Sequence, residues 1–261
     1  MAEITLLDLR IRRRFTIGVG VGLAAYTVFI VALYPAMRHT TGLDELTKGN
    51  NPIAALFGAV GSLTSPVGWM NANVFANVAP LLVLLVAVGY GAAAVGGQDE
   101  DGSLALLAVT GITRTSLLVG KIAALVVQAA FVAFAAGLAT TAGRLFDLPI
   151  PYPRLAGATL GLVLLGVDLG LVALLVGILT GRRGNAVGVA GGLAVAMYVV
   201  SAMAPVVGWL RPWRVTSLFY WSVGGSQLAE GLSTRSCSVL GLVAAILATA
   251  SVAAFERADL R

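Results

Sequence analysis

The groups best placed to do chemistry in this sequence are carboxylates. Asp99, Glu100 and Asp101 stand in a row ahead of Gly102, Ser103 and Leu104, and the same stretch closes on Arg114 and Lys121. Acids so placed can favour the start of a helix or meet a partner. A further acid, Asp168, stands alone inside "GLVLLGVDLGLVALLVG". A charge at the centre of a membrane helix costs about 2.5–3.5 kcal/mol on insertion scales, so such a residue faces protein or water. Asp168 can carry a proton or bind a cation, or it can sit as a neutral, hydrogen-bonded acid between helices. Gln128 is the other polar group deep in an apolar run, and an interhelical hydrogen bond is its expected use.

Other chemistries lack their parts. The chain has one histidine, His39, and one cysteine, Cys237, too few for a multi-His or Cys-rich metal site or an internal disulfide. An intramembrane aspartyl protease needs a second embedded acid, and the sequence has none. A phosphate-binding loop needs Gly-x4-Gly-Lys-[Ser/Thr], whose amides wrap the phosphates and whose hydroxyl meets magnesium. Gly120-Lys121 matches only its end: Thr115 stands where the first glycine is required and Ile122 where the hydroxyl is required. No cofactor is expected on this chain.

The elements that position these groups follow from composition. Of 261 residues, 58% are hydrophobic and 11% charged, with a mean hydropathy of +0.93. Soluble chains carry roughly 25% charged residues. So much apolar surface exceeds what one soluble core hides, so the expected solvent is lipid. The net charge of +5 points to the inner face of a bilayer rather than to nucleic acid. Six apolar runs are long enough to cross a core of roughly 30 Å at about 1.5 Å per residue. They cover approximately residues 15–35, 73–95, 122–142, 155–180, 186–207 and 236–254. Helix is the default because a lone strand leaves its backbone groups unpaired in hydrocarbon. The expectation is an all-α polytopic membrane protein, one transmembrane domain over residues 1–261.

Orientation follows from Lys and Arg. With the N-terminus inside, ten of the 17 basic residues fall on inner segments and seven on outer ones. Arg12, Arg13 and Arg14 crowd the start of the first span, and the first helix usually dominates. That span is longer than the apolar core of a secretory signal, so it reads as uncleaved. The chain is expected in the inner or plasma membrane with both termini cytoplasmic. Residues 2–14 place Ile4, Leu7 and Ile11 at helical spacing, which suits a helix lying in the inner interface before the chain turns into the bilayer. Residues 208–235 are aromatic-rich, through Trp209, Trp213, Phe219, Tyr220 and Trp221. They read as an interfacial anchor whose latter part forms a short re-entrant or surface helix.

The acidic stretch therefore lies on the inner face, between the second and third spans. Its acids favour a helix N-terminus, Ser103 can cap it, and Leu104 and Leu107 follow at helical spacing. A short amphipathic helix over about 99–114 is expected. From the residues alone it is a docking surface or merely a well-capped linker.

"GGQDEDGSLALLAVTGITRTSLLVGK" resembles a signature of the ABC-2 type permeases, the membrane subunits of a class of ATP-binding-cassette exporters. There an acidic pair precedes Gly-[Ser/Thr]-Leu, a Leu-rich helix, a Pro-x-Ser-Arg-like turn and Gly-Lys. Gly111-Ile112-Thr113-Arg114 departs from that turn by its missing proline. "SLFYWSVGGSQL" and "FERADL" resemble the family's segment before the last span and its C-terminal ending. The resemblance implies a coupling helix at 99–114, with Asp99, Glu100, Asp101, Gly102, Ser103, Leu104, Leu107 and Arg114 meeting the ATPase. It also implies that Ile4, Leu7 and Ile11 belong to an interfacial helix framing the same contact. The implied partners are two ABC ATPase subunits, which hold ATP and magnesium, and a second permease subunit, identical or different. The implied activity is export of a drug, antibiotic or lipid-like compound. An ion-coupled carrier built on Asp168 is the alternative.

Overall fold

The computed structural model describes residues 2–38, 62–100, 113–224 and 227–257. Among these residues the regular structure is helical, with no strand. Six helices are long and apolar enough to cross a membrane. They are α1 (Ala2–Met37), α2 (Pro66–Glu100), α3 (Arg114–Thr141), α4 (Tyr152–Thr180), α5 (Arg183–Met203) and α6 (Thr234–Arg257). The chain is thus built as a multi-pass membrane protein.

Each helix contains most of the span expected for it, but several run further. The reason is local. Ser65 Oγ accepts from Gly68 N at 3.1 Å, with Pro66 in the first turn, so α2 starts seven residues before Asn73. Thr113 Oγ1 accepts from Ser116 N at 3.3 Å, so α3 starts at Arg114 rather than Ile122. Hydropathy marks the part of a helix that lies in hydrocarbon, whereas caps set where it ends. Two π turns, Asn71–Phe75 and Ala93–Gly97, interrupt α2. α4 stops at Gly181, whose φ of 62° is the left-handed conformation that glycine adopts without strain. The bend expected near Arg14 is absent: residues 2–14 and the first span are one unbroken helix.

α4 is the hub. It packs against α2, α3, α5 and α6, while α1 lies on α3 and touches α2. The interior is small and tight. A Cβ on Gly91 of α2 would lie 2.1 Å from the carbonyl oxygen of Gly170 on α4. Lipid tails are as apolar as Leu, so helices in a bilayer gain from close contact, and small residues permit it.

The side chains sort the bundle into two ends. At one end the starts of α1, α3 and α5 meet the finishes of α2, α4 and α6; the 99–113 connector belongs here. Thr5 Oγ1 donates to Gly120 O at 3.0 Å, and Thr115 Oγ1 to Glu256 Oε1 at 2.8 Å. At the opposite end Trp69 Nε1 donates to Ile30 O at 3.0 Å, and Arg38 pairs with Asp147 at 3.0 Å. There the 208–230 region forms a 3-10 stretch, Gly208–Thr216, and two short helices, Leu218–Ser222 and Gln227–Glu230. Trp209 and Trp213 point outward, as interfacial anchors do. The short helices pack on α4, where a Cβ on Gly161 would lie 2.3 Å from Ser222 O. Gly161 is nine residues into α4, so this segment reaches about 14 Å along it.

Candidate functional site

The polar groups of the connector end gather on one face of α1. Thr5, Asp8, Arg12 and Thr16 follow helical spacing and turn toward the bundle, whereas Leu7 and Ile11 are exposed. Of the three apolar residues expected to mark an interfacial helix, only Ile4 packs on the core. The segment is amphipathic with its polar stripe inward. Its contacts explain this. Asp8 Oδ2 accepts from Tyr90 Oη at 2.5 Å and pairs with Lys121 Nζ at 3.5 Å. Lys121 Nζ also donates to Gln98 Oε1 at 2.8 Å. Lys121 is 1% exposed and Asp8 7%. Arg12 donates to Gly89 O at 3.3 Å and lies 5.6 Å from the centre of the Tyr90 ring. Thr16 Oγ1 donates to Gln128 Oε1 at 3.1 Å, the interhelical hydrogen bond expected of Gln128.

This network joins α1, α2 and α3 at the two points where the 99–113 connector leaves and returns. Gln98 is the last residue before the acids, and Lys121 lies two turns into α3. A buried ion pair gains little over an apolar replacement, but losing one partner strands a charge. Its value here is that the three helices keep one relative position.

Three of the expected connector residues fall within the described residues. Asp99 lies against the α4–α5 turn, where a Cβ on Gly181 would come within 2.6 Å of its Oδ2. That puts a carboxylate beside the start of α5, which the helix dipole favours. Glu100 is exposed and lines a polar cavity of about 360 Å³ with Asp8, Arg12, Tyr90, Gln98 and Arg183. Arg114 Nη1 donates to Glu256 O at 3.4 Å, tying α3 to the end of α6. Asp101, Gly102, Ser103, Leu104 and Leu107 lie outside the described residues, and with them most of the expected coupling helix.

Beside this cavity an apolar groove of about 990 Å³ runs between α2 and α5, with Arg12 and Phe15 of α1 at one end. Its other end is closed by Tyr198 Oη, which donates to Asn77 Oδ1 at 2.7 Å, and by Phe219 edge-on to Tyr198.

Asp168 stands apart. It is 0% exposed, and neither carboxylate oxygen has a hydrogen-bond partner among the described residues. The hydrogen-bonded acid expected there is therefore not found. Gly157, Gly161 and Asp168 share a face of α4 by their i, i+4, i+11 spacing. That face carries the short helices, and Asp168 lies about 10 Å deeper than Gly161. Among the described residues no three His, Cys, Asp or Glu side chains group as a metal site.

Sequence reasoning passed over Asp8, Tyr90, Gln98 and Thr16. The first had a signal: Asp8 lies at i+4 from Ile4 and i−3 from Ile11, an acid on the same helical stripe. The other three needed the tertiary fold. No protein-family model and no curated protein matches the chain.

Proposed function

We propose that the chain is the membrane subunit of an ABC-2 type exporter. It moves a hydrophobic or amphiphilic compound using ATP hydrolysed, with magnesium, on two copies of a separate ATPase subunit, and it works beside a second permease subunit. One observation supports this above the others. The 99–113 connector is anchored at both ends in polar contacts that bind α1, α2 and α3 together, through Gln98 and Lys121 to Asp8. A handle held only by apolar contacts with lipid-like energetics would slide. One held by a buried pair passes its displacement to three spans at once. Asp99 extends the same attachment to the turn between α4 and α5.

On this reading the connector end faces the cytoplasm, in keeping with the basic residues of α1. The ATPase must bind one arrangement of the bundle better than the other, since equal docking to both shifts nothing. The partner ATPase should copurify from native membranes. Replacing Glu100 and Leu104 together should leave ATPase activity running while transport in proteoliposomes falls at least about tenfold. Transport at the normal rate in that variant would remove the coupling role from this connector.

A second reading has its own observation in the buried Asp168, which has no hydrogen-bond partner among the described residues. An ion-coupled carrier would transport without ATP, on a proton or cation gradient alone, and would stop in Asp168→Asn. Transport that depends on the ATPase and survives Asp168→Asn dismisses it.

A further inference from the structure

The groove between α2 and α5 carries a charge pattern that its apolar walls do not require. Along α2 its wall runs from Ala76 to Gly89, about 20 Å of helix against the roughly 15 Å of one leaflet's hydrocarbon. The walls are made by residues such as Leu81, Leu84, Leu85, Val187 and Val195. Leu81 is 67% exposed and Val195 64%. Among the described residues the charged ones lining it are Arg12 and Arg183. Both sit at the connector end, and both also line the polar cavity beyond.

Two guanidiniums facing one space repel each other unless an anion lies between them. Among the described residues neither has a carboxylate within 4 Å; the ion pairs found there are Arg38–Asp147 and Lys121–Asp8. Among the described residues the acids lining the adjoining cavity are Asp8 and Glu100. Asp8 is engaged by Lys121 and Tyr90, and Glu100 is exposed. Guanidinium forks match phosphate oxygens in geometry as well as charge. Basic pockets between membrane helices take anionic headgroups for the same reason. An occupant must then present a phosphate at the depth of the arginines and a long apolar chain above it. A phospholipid of the adjoining leaflet does both. A zwitterionic lipid brings its own cation beside the phosphate, so a lipid of net negative charge fits better.

We propose that this groove binds one anionic phospholipid, its phosphate between Arg12 and Arg183 and an acyl chain along Leu81, Leu85 and Val195. The site goes beyond the transport reading and does not depend on it.

The test uses the full chain, purified and placed in nanodiscs of phosphatidylcholine with increasing dioleoyl phosphatidylglycerol. Native mass spectrometry then counts retained lipids. One phosphatidylglycerol should be retained over phosphatidylcholine at least about tenfold. Arg12→Gln with Arg183→Gln should abolish that preference. Gly191→Phe should also displace the lipid with both arginines intact. Gly191 lines the groove and a Cβ there meets nothing within 4 Å, so a side chain can start from this position without a clash and the ring takes up groove space. If the arginine variant does not fold, Gly191→Phe decides. Arg10→Gln with Arg13→Gln should leave retention unchanged. Equal retention of the two lipids would overturn the site. So would retention that survives Gly191→Phe, loss of equal size in the Arg10/Arg13 variant, or displacement by millimolar inorganic phosphate, which would make the ligand a free anion.

Discussion

Two buried carboxylates separate the two kinds of region in this bundle. Asp8, near the connector end, is met by Tyr90 and Lys121 and stands one contact away from Gln98. Asp168, in the middle of the hub helix, meets no donor among the described residues. Both are almost fully buried. The first stabilises a particular arrangement of helices through its partners. The second imposes a cost that packing elsewhere on α4 must offset. A paired buried charge thus marks where the helices are held together. A buried acid with no partner among the described residues marks where the fold accepts instability, as functional positions in membrane helices do.

That contrast can be broken most severely at Lys121. Lys121→Met strands the Asp8 carboxylate and should destabilise the protein by about 3–5 kcal/mol. The measurement is thermal or denaturant unfolding in detergent, and Asp8→Leu with Lys121→Met should recover most of the loss. Tyr90→Phe removes one charged hydrogen bond and should cost about 1.5–3 kcal/mol. A double-mutant cycle with Asp8→Asn should show that the two changes are not additive. Asp168→Leu should have the opposite sign. It removes an unsatisfied buried group and should raise stability by about 1–3 kcal/mol. A stability loss there would show that the acid has a partner after all. Thr16→Val, which deletes the hydrogen bond to Gln128, should have the smallest effect, about 0.6 kcal/mol, as interhelical hydrogen bonds average in membranes. Its unfolding midpoint should hardly move.

The six spans were legible because hydropathy reports transfer into lipid, which is a property of each residue and its near neighbours. Helix type followed because hydrocarbon leaves the backbone no other partner. The ends were less legible. Ser65 and Thr113 start α2 and α3 ahead of their apolar runs through single capping bonds, which a window of hydropathy averages away. The polar stripe of α1 was half legible. Ile4, Leu7 and Ile11 marked an apolar face, and Asp8 and Arg12 fall on the stripe beside it. That it turns inward depended on Tyr90, Gln98, Lys121 and Gln128, all 70 or more residues distant in the chain. Gln128 was read correctly as a hydrogen-bonding group because a polar side chain in a span has few other outcomes. Asp168 was located as buried on the same grounds, yet that no described residue hydrogen-bonds it was invisible in the sequence.

The sequence by itself determined that this chain belongs in lipid, has six helices able to cross it and sets three consecutive acids in the connector after the second. Those features follow from the free energy of moving individual residues out of water, which local composition fixes. Only the tertiary structure decided that Asp8 finds Lys121 while Asp168 finds no partner among the described residues, and that Arg12 and Arg183 flank one groove. Which helices meet, and at what rotation, is set by the close fit of small residues such as Gly91 and Gly170 over long separations in the chain, and no stretch of sequence contains that fit alone.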